Sequence, residues 1–168
     1  YGSIGQQVAK IAAAFGMKVL AYSRTSSKIT APAKSVTLEF LLQNSDFISL
    51  HSPLTPETTN LINEESLKLV KNGSMLINTA RGPLVDEVAV AKALKTGKLS
   101  VFAADVLSKE PMSKDCPLLG FENTIITPHV AWAGFETRQR LMNIAVDNLK
   151  AFLSGKPQNQ VLDRKSVV

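Results

Sequence analysis

The chain has 168 residues, 45% of them hydrophobic, and a formal net charge of +5 at neutral pH. This length suits one domain, or one domain and a fragment of a second, and the hydrophobic fraction excludes intrinsic disorder as the main state. Every apolar run is far shorter than the roughly 20 residues that a membrane-spanning helix needs, so we expect a soluble protein without a membrane partner.

Cys116 is the one cysteine, and the chain has two histidines. An internal disulfide is therefore excluded, no metal site of the zinc type is expected, and a reducing, cytoplasmic location fits best. The lysines and arginines are scattered along the sequence rather than clustered, so we expect no nucleic-acid partner despite the positive net charge.

Helices and strands are predicted to alternate along the chain. From residue 6 the apolar residues recur at helical spacing, and Gly16 is placed to end that helix. Short apolar runs between polar turns predict strands that are buried on both faces. The helices are expected at residues 6–15, 38–43, 64–70, 86–95 and about 135–153, and the strands at residues 18–23, 47–51, 74–79, 101–106 and 123–127. This alternation predicts an α/β fold with a doubly wound parallel sheet.

A glycine-rich turn, Gly2-Ser3-Ile4-Gly5, directly precedes the first predicted helix. In a parallel α/β fold such a turn lets backbone N–H groups approach a pyrophosphate, and the helix dipole favours the negative charge there. Two glycines at this spacing are by themselves more typical of a plain turn. The strand predicted to follow, which ends at Ser23, favours a dinucleotide site instead.

The residues at the end of that strand bear on the choice of cofactor. An NAD site usually has an acidic residue here, some 20 residues after the glycines, to bind the ribose 2′-hydroxyl. This chain has Ser23-Arg24-Thr25 instead, and its first acidic residue is Glu39. A guanidinium and two hydroxyls can bind a 2′-phosphate, so we predict NADP as the preferred cofactor over NAD. The alternative is that Arg24 is only a solvated surface charge.

Polar side chains follow three of the later predicted strands, in segments 78–82, 105–111 and 127–132. Ligands bind at such strand ends in open parallel sheets. Each segment has a structural explanation of its own: Arg81 could cap a strand, Glu110 could pair with a nearby lysine, and His129 could be a half-buried histidine with satisfied hydrogen bonds. Their occurrence at successive strand ends, after a candidate phosphate turn, favours an active site.

Several motifs occur in a fixed order along the chain. They are Gly2-x-x-Gly5, His51-Ser-Pro53, Leu54-Thr-Pro-Glu-Thr58, Asn78-Thr-Ala-Arg-Gly82, Ala104-Asp-Val106, Glu110-Pro111 and Pro128-His129. With these motifs the sequence resembles the D-isomer-specific 2-hydroxyacid dehydrogenases over nearly its entire length. The segments 128–133 and 138–141 are most similar to the branch of that family that contains glycerate dehydrogenase and hydroxypyruvate reductase.

The resemblance implies a Rossmann-type domain and an oxidoreductase. The expected reaction transfers a hydride between NAD(P)H and a small 2-oxo or 2-hydroxy acid, such as hydroxypyruvate or glyoxylate giving D-glycerate or glycolate. One alternative is another 2-hydroxyacid dehydrogenase or a phosphoglycerate dehydrogenase. Another is a corepressor that senses a dinucleotide without turnover, although such a protein would have no need of an acid–base pair.

The resemblance also implies the roles of three catalytic residues. His129 would donate and accept the substrate proton, since an imidazole can do both near neutral pH. Glu110 would hydrogen-bond the other nitrogen of the His129 ring. Arg81 would hold the substrate carboxylate and polarise the carbonyl group.

The other matching positions imply contacts with the dinucleotide. At the pyrophosphate, Ser3 and Ile4 would bind through backbone N–H groups and Thr58 through its hydroxyl. His51 and Pro53 would lie along the adenosine and ribose. Thr79 and Ala80 would lie under the nicotinamide riboside, and Asp105 would bind the carboxamide. Asp105 could equally cap a helix, but its position at a strand end beside Glu110 favours the cofactor role.

The resemblance finally implies how the chain is divided. We expect a cofactor domain over residues 1–134 that is N-terminally truncated and lacks its first strand, a helix over residues 135–157 that returns toward a largely missing substrate domain, and a tail over residues 158–168. Trp132 could line the substrate pocket or merely pack at the domain junction. The complete protein is expected to be a homodimer, and this portion alone is not expected to be active.

Overall fold

The computed structural model of the protein describes residues 1–160. The helices are α1 (Ser3–Ala14), α2 (Leu38–Asn44), α3 (Glu64–Leu69), α4 (Glu87–Lys95) and α5 (Phe135–Leu153), and the strands are β1 (Leu20–Ala21), β2 (Lys34–Ser35), β3 (Phe47–Leu50), β4 (Ser74–Asn78), β5 (Leu99–Ala104) and β6 (Thr124–Ile126). Two short 3₁₀ turns cover Ser26–Lys28 and Gly82–Leu84. No helix in residues 1–160 is both long and apolar enough to cross a membrane.

All strand pairs are parallel, which confirms the predicted α/β fold. Strands β3, β4, β5 and β6 form a four-stranded sheet in that order, and β1 pairs with β2 in a separate two-stranded sheet. The register of the larger sheet aligns Leu50 with Asn78, Asn78 with Ala104, and Ala104 with Ile126. The four strands therefore end in one row, and the residues that follow them share one edge of the sheet.

The core lies where α2, α3 and α4 pack against this sheet. Phe102, Leu76 and Leu99 on the strands are almost fully buried, as is Val90 on α4. Each of the three helices begins with a side-chain cap, in which the N-cap residue accepts hydrogen bonds from first-turn amides. The caps are Thr37, Asn63 and Asp86.

Three strand predictions need correction. The run 18–23 pairs only at Leu20–Ala21, because its partner Lys34–Ser35 is itself two residues long, and that partner strand was not predicted at all. Strand β5 covers Leu99–Ala104 rather than 101–106. Its pairing with β6 stops at Ala104, so the apolar residues Val106 and Leu107 pack in the core without being part of the strand.

The chain divides into two compact units, residues 1–129 and the residues from 130 onward. The first unit contains both sheets and helices α1 to α4. In the second, α5 has the predicted bounds and ends before Gly155, but none of its residues is buried. The predicted tail over 158–168 lies outside the described residues from position 161.

Candidate functional site

The aligned strand ends bring the predicted site segments to one edge of the four-stranded sheet. His51 follows β3, Thr79 follows β4, Asp105 follows β5 and Thr127 follows β6. Since the last residues of these strands are paired in register, the segments that carry Arg81, Glu110 and His129 all start from this edge.

The structure pairs Glu110 with His129. The ring Nδ1 of His129 lies 2.8 Å from Oε2 of Glu110, and the N–H of Leu107 donates to Oε1 of the same carboxylate at 3.0 Å. These two hydrogen bonds, the one with His129 first, lower the pKa of Glu110 below its ordinary value. The carboxylate is therefore ionised near neutral pH and fixed at both oxygens, which orients the imidazole beside it. His129 itself has a left-handed backbone, with φ of 54°.

Asp105 is buried, with 6% of its surface exposed, and its carboxylate is held from β6. The hydroxyl of Thr127 donates to Oδ1 of Asp105 at 2.5 Å, and the N–H of Asp105 donates to the carbonyl of Asn78 at 3.0 Å. The segment after Asp105 is a loop, so this residue caps no helix. It is thus a fixed acceptor at the edge of the sheet. The role of Thr127 was missed from the sequence, although its place at a strand end was a usable signal.

Arg81 stands on a turn that a buried asparagine shapes. Asn78 is fully buried; its side chain accepts from the N–H of Ala80 at 3.1 Å and donates to the carbonyl of Arg81 at 2.9 Å. Thr79 and Arg81 are exposed on this turn, and Ala80 is half-buried. The guanidinium of Arg81 donates to the carbonyl of Ala80 at 2.6 Å, which uses one of its five N–H donors. Sequence reasoning noted Asn78 within the motif but not this role.

The segment Gly2–Gly5 is not a separate turn before the helix, because α1 already begins at Ser3. Its amides form the first turn of the helix, where an anion such as a pyrophosphate can bind. Gly2 is the N-cap of α1, its carbonyl accepts from the N–H of Gln6 at 2.9 Å, and no side chain caps the helix. The first turn, which includes Ser3 and Ile4, has no acidic residue. Amides of a first helical turn have no partner within the helix, so they can receive an anion here. Gly5 is buried, and a Cβ built on it would lie 3.5 Å from Cβ of His51.

His51 and the loop that follows it border this turn. The ring Nε2 of His51 lies 2.9 Å from the hydroxyl of Ser49, and burial lowers the pKa of His51. The hydroxyl of Thr58, which is buried, donates to the carbonyl of Pro53 at 2.7 Å and accepts from the N–H of Thr55 at 2.8 Å. Thr58 therefore shapes the loop that carries Pro53.

The predicted cofactor-selecting residues lie after β1, away from the four-stranded sheet. Arg24 is exposed, and the N–H of Thr25 points toward the hydroxyl of Ser23 at 3.4 Å. The pKa of Glu57 is lowered chiefly by a hydrogen bond with Thr55 and to a smaller extent by the charge of Arg24. An acidic residue thus lies within electrostatic reach of Arg24, which the sequence did not indicate.

Trp132 belongs to the second unit. The guanidinium of Arg138 lies over its ring, 5.9 Å from the centroid, and the indole is about half exposed. This geometry is a cation–π contact.

Comparison with known proteins gives consistent matches. Residues 1–131 match the family model described as D-isomer specific 2-hydroxyacid dehydrogenase, NAD binding domain. The chain is 48% identical over 163 residues to a hydroxypyruvate reductase of Blautia hydrogenotrophica, covering 96% of this chain and 51% of that protein. It is also 48% identical over 164 residues to a glycerate dehydrogenase of Methylorubrum extorquens, covering 96% of this chain and 50% of that protein.

Among solved structures, an acyclic imino acid reductase in complex with NADPH and D-Arg is similar with a TM-score of 0.86 and 38% identity. That match covers 96% of this chain and 50% of the reductase. The chain thus spans about half the length of the curated relatives it matches.

Proposed function

The chain belongs to the D-isomer specific 2-hydroxyacid dehydrogenases, as their NAD-binding domain, and on this premise we propose that the protein reduces a small 2-oxo acid, or oxidises the corresponding 2-hydroxy acid, with a nicotinamide dinucleotide. The observation that carries the proposal is the Glu110–His129 pair at the ligand-binding edge of the sheet. A domain that only bound a dinucleotide would need no imidazole held by a carboxylate.

The pair accounts for the proton in this reaction. Because Nδ1 of His129 is held by Glu110, the proton is exchanged with the substrate at Nε2. In reduction, the substrate carbonyl carbon gains a hydride and its oxygen takes the proton from His129, which is then reprotonated by solvent. In oxidation, His129 accepts the hydroxyl proton. The Glu110 carboxylate lies beside the ring in both directions and fixes its orientation.

Arg81 supplies the charge for substrate binding. Four N–H donors of its guanidinium remain beyond the one that bonds Ala80, enough to hold a carboxylate through two parallel hydrogen bonds. These two hydrogen bonds orient the neighbouring carbonyl group of the substrate, and the positive charge of the guanidinium stabilises negative charge that develops on the carbonyl oxygen. The Asn78 side chain fixes the backbone from which Arg81 extends.

The residues present fit a bound dinucleotide. The uncapped first turn of α1, with Ser3 and Ile4, would hold the pyrophosphate, and the buried Asp105 carboxylate would accept from the carboxamide. His51, Pro53 and Thr58 would contact the path between them, and Thr79 and Ala80 would lie under the nicotinamide riboside. When bound, the nicotinamide supplies or takes up the hydride.

We assign NADP as the preferred form, with NAD as the alternative. Ser23, Arg24 and Thr25 offer a guanidinium and two hydroxyls for a 2′-phosphate. The acyclic imino acid reductase that resembles this chain was solved with NADPH, which supports the assignment. Glu57 opposes it, because its carboxylate lies within electrostatic reach of Arg24.

Hydroxypyruvate and glyoxylate are the proposed substrates, and the similar proteins also include a glyoxylate reductase of Aeropyrum pernix, 42% identical over 169 residues. The two most similar relatives named above are a hydroxypyruvate reductase and a glycerate dehydrogenase. D-Glycerate and glycolate would be the respective products. Preference for a phosphorylated 2-oxo acid would instead indicate a phosphoglycerate dehydrogenase.

The test uses the protein at its natural length. Its fluorescence is titrated with NADPH and NADH, and oxidation of each is then followed with hydroxypyruvate and glyoxylate. His129→Ala should lower kcat at least about 100-fold while the cofactor Kd is unchanged, since an acid–base residue contributes roughly 10²–10⁴-fold. Cofactor binding without turnover of any 2-oxo acid would overturn the proposal in favour of a dinucleotide sensor.

We propose two further properties of the whole protein, and the same preparation tests the second of them. We propose a cytoplasmic location, which the single Cys116 supports. We also propose a homodimer, to be measured by size-exclusion chromatography with light scattering. A measured molar mass equal to that of one chain would contradict the homodimer.

A further inference from the structure

The loop that carries Glu110 rests on the residue that follows Arg81. A Cβ built on Gly82 would lie 2.0 Å from the carbonyl carbon of Leu107 and 2.4 Å from the backbone nitrogen of Ser108. These distances leave no room for any side chain at Gly82. The peptide bond between Leu107 and Ser108 is therefore packed directly on the backbone beside Arg81.

Glu87 holds the same peptide from a third element. Its Oε1 accepts from the N–H of Ser108 at 2.7 Å, although the two residues are 21 positions apart. Glu87 is half-buried in the first turn of α4, whose position is fixed by the Asp86 cap and by buried residues such as Val90 and Leu94. The bond thus ties a rigid helix to the loop.

The loop contacts the Glu110–His129 pair through Leu107, the residue before Ser108. The N–H of Leu107 donates to Oε1 of Glu110, whose other oxygen faces Nδ1 of His129. The N–H groups of Leu107 and Ser108 belong to consecutive peptide planes joined at Cα of Leu107, so a displacement of the main chain at Leu107 would move the N–H that holds Glu110 and release the carboxylate from its position beside the imidazole.

We propose that Glu87 is a positioning residue for the reaction: by holding the Ser108 amide, with the peptide seated on Gly82, it sets the orientation of Glu110 and through it of His129. The inference rests on the proposed function, because it assigns Glu87 a part in that reaction. Glu87 touches neither substrate nor cofactor and acts only through this chain of contacts.

The alternative role of Glu87 is purely structural. An acidic residue in a first helical turn stabilises the helix through its dipole, whatever it contacts. Glu64 provides the matched control, because it occupies the first turn of α3, is exposed, and pairs with Lys92 rather than with the loop. Glu64→Ala therefore removes an equivalent helix charge without touching the catalytic segment.

The kinetic experiment compares Glu87→Ala, Glu87→Gln and Glu64→Ala in the protein at its natural length. Glu87→Ala should lower kcat about tenfold, leave the NADPH Kd unchanged, and alter the pH profile of kcat/KM. Glu87→Gln keeps an oxygen acceptor for the Ser108 amide and should restore most of the rate. Equal effects of Glu87→Ala and Glu64→Ala, or a glutamine variant as slow as the alanine variant, would overturn the proposal.

A spectroscopic measurement separates this proposal from the proposed function. The ¹⁵N shift of Nδ1 of His129, assigned by its absence in His129→Ala, should change in Glu87→Ala and return in Glu87→Gln. If the wild-type protein turns over no 2-oxo acid, the proposed function fails, and this shift still decides whether Glu87 positions the pair. An unchanged shift in Glu87→Ala would refute the positioning role.

Discussion

The two ends of the candidate site are supported by different amounts of packing. Among residues 1–36 only Gly5, Ala9 and Ala21 are buried, while Ile11 on α1 and Phe15, directly after it, are mostly exposed. The core cluster, in contrast, begins in α2 and continues to Leu118. The segments with Arg81, Glu110 and His129 arise from this core, whereas the N-terminus of α1 and Arg24 lie in the lightly packed region.

The N-termini of the helices also differ between the packed and the lightly packed regions. Helices α2, α3 and α4, on the packed side, are capped by Thr37, Asn63 and Asp86. Helix α1 begins at Gly2 with no side-chain cap. Helix α5, in the second unit, also begins without a side-chain cap, at Gly134. Capping stabilises a helix by occupying its first amides, so the first-turn amides of α1 are not occupied by a side chain and can receive a ligand. The proposed chemistry is thus placed on elements that pack in the core, and the proposed dinucleotide site begins in a lightly packed region.

A core substitution should show the largest effect. Phe102→Ala removes a fully buried ring from β5 and should lower the free energy of unfolding by about 4 kcal/mol. Phe15→Ala, at a phenylalanine that is 79% exposed, should change it by less than about 0.5 kcal/mol. Urea unfolding followed by far-UV circular dichroism measures both. A loss at Phe15 as large as at Phe102 would mean that α1 is packed as firmly as the core.

A charge reversal at Arg24 tests the cofactor end. Arg24→Asp removes the guanidinium and places a carboxylate where a 2′-phosphate would lie, so the preference for NADPH over NADH should fall by about 2 kcal/mol, roughly 30-fold. Lys28→Asp makes the same charge change four residues later and should affect both cofactors equally. Fluorescence titrations give the dissociation constants of NADPH and NADH for each variant. Unchanged selectivity in Arg24→Asp would refute the assigned role.

The helices of the packed region could be predicted closely from the sequence. The bounds of α2, α3 and α4 fall within one or two residues of the predicted ones, because caps and helical periodicity are local signals. Strand β1 was predicted at six residues, 18–23, but a strand is defined by its neighbour, and Lys34–Ser35 offers only two pairing positions. That neighbour carries no apolar run to reveal it.

The contacts of the site residues also differ in how well they could be predicted from the sequence. The approach of Glu110 to His129 could be expected, since motifs placed both at strand ends. The bonds of Asn78 to Ala80 and Arg81 are local and are typical of an asparagine that shapes a turn, so a usable signal for them was missed. The contacts of Thr127 and Glu87 could not be predicted, because each bonds a group that only the folded chain brings near. Glu87 and Ser108, for example, are 21 residues apart. No local pattern contains such a contact.

Adding a charged cap to α1 should have a smaller effect. Gly2→Asp would place a carboxylate at the uncapped N-terminus, where it would compete for the first-turn amides and repel a pyrophosphate. NADPH should bind about tenfold more weakly, a difference of about 1.4 kcal/mol. Gly2→Asn, a neutral cap, separates competition for the amides from charge repulsion and should weaken binding less. Equal NADPH affinity in Gly2→Asp and wild type would place the pyrophosphate elsewhere.

The smallest expected effect is the pH dependence of stability at Glu110. Hydrogen bonds from His129 and from the Leu107 amide hold the pKa of Glu110 below its ordinary value. The folded state therefore binds a proton less readily than the unfolded chain, so the stabilisation is fully present above the ordinary pKa and is lost as pH falls through the folded one. Since 39% of the side chain is exposed, solvent screening limits the effect to less than about 1 kcal/mol.

Glu110→Gln isolates this contribution, because glutamine keeps the shape and one acceptor oxygen but does not titrate. The difference in unfolding free energy between wild type and Glu110→Gln should be constant near neutral pH and should narrow as the pH falls below about 4.5. Urea titrations at a series of pH values measure it. A difference that stayed the same at acidic pH would mean that the Glu110 carboxylate is no better stabilised in the folded protein than in water. Its hydrogen bond with His129 would then contribute nothing to the stability of the packed region.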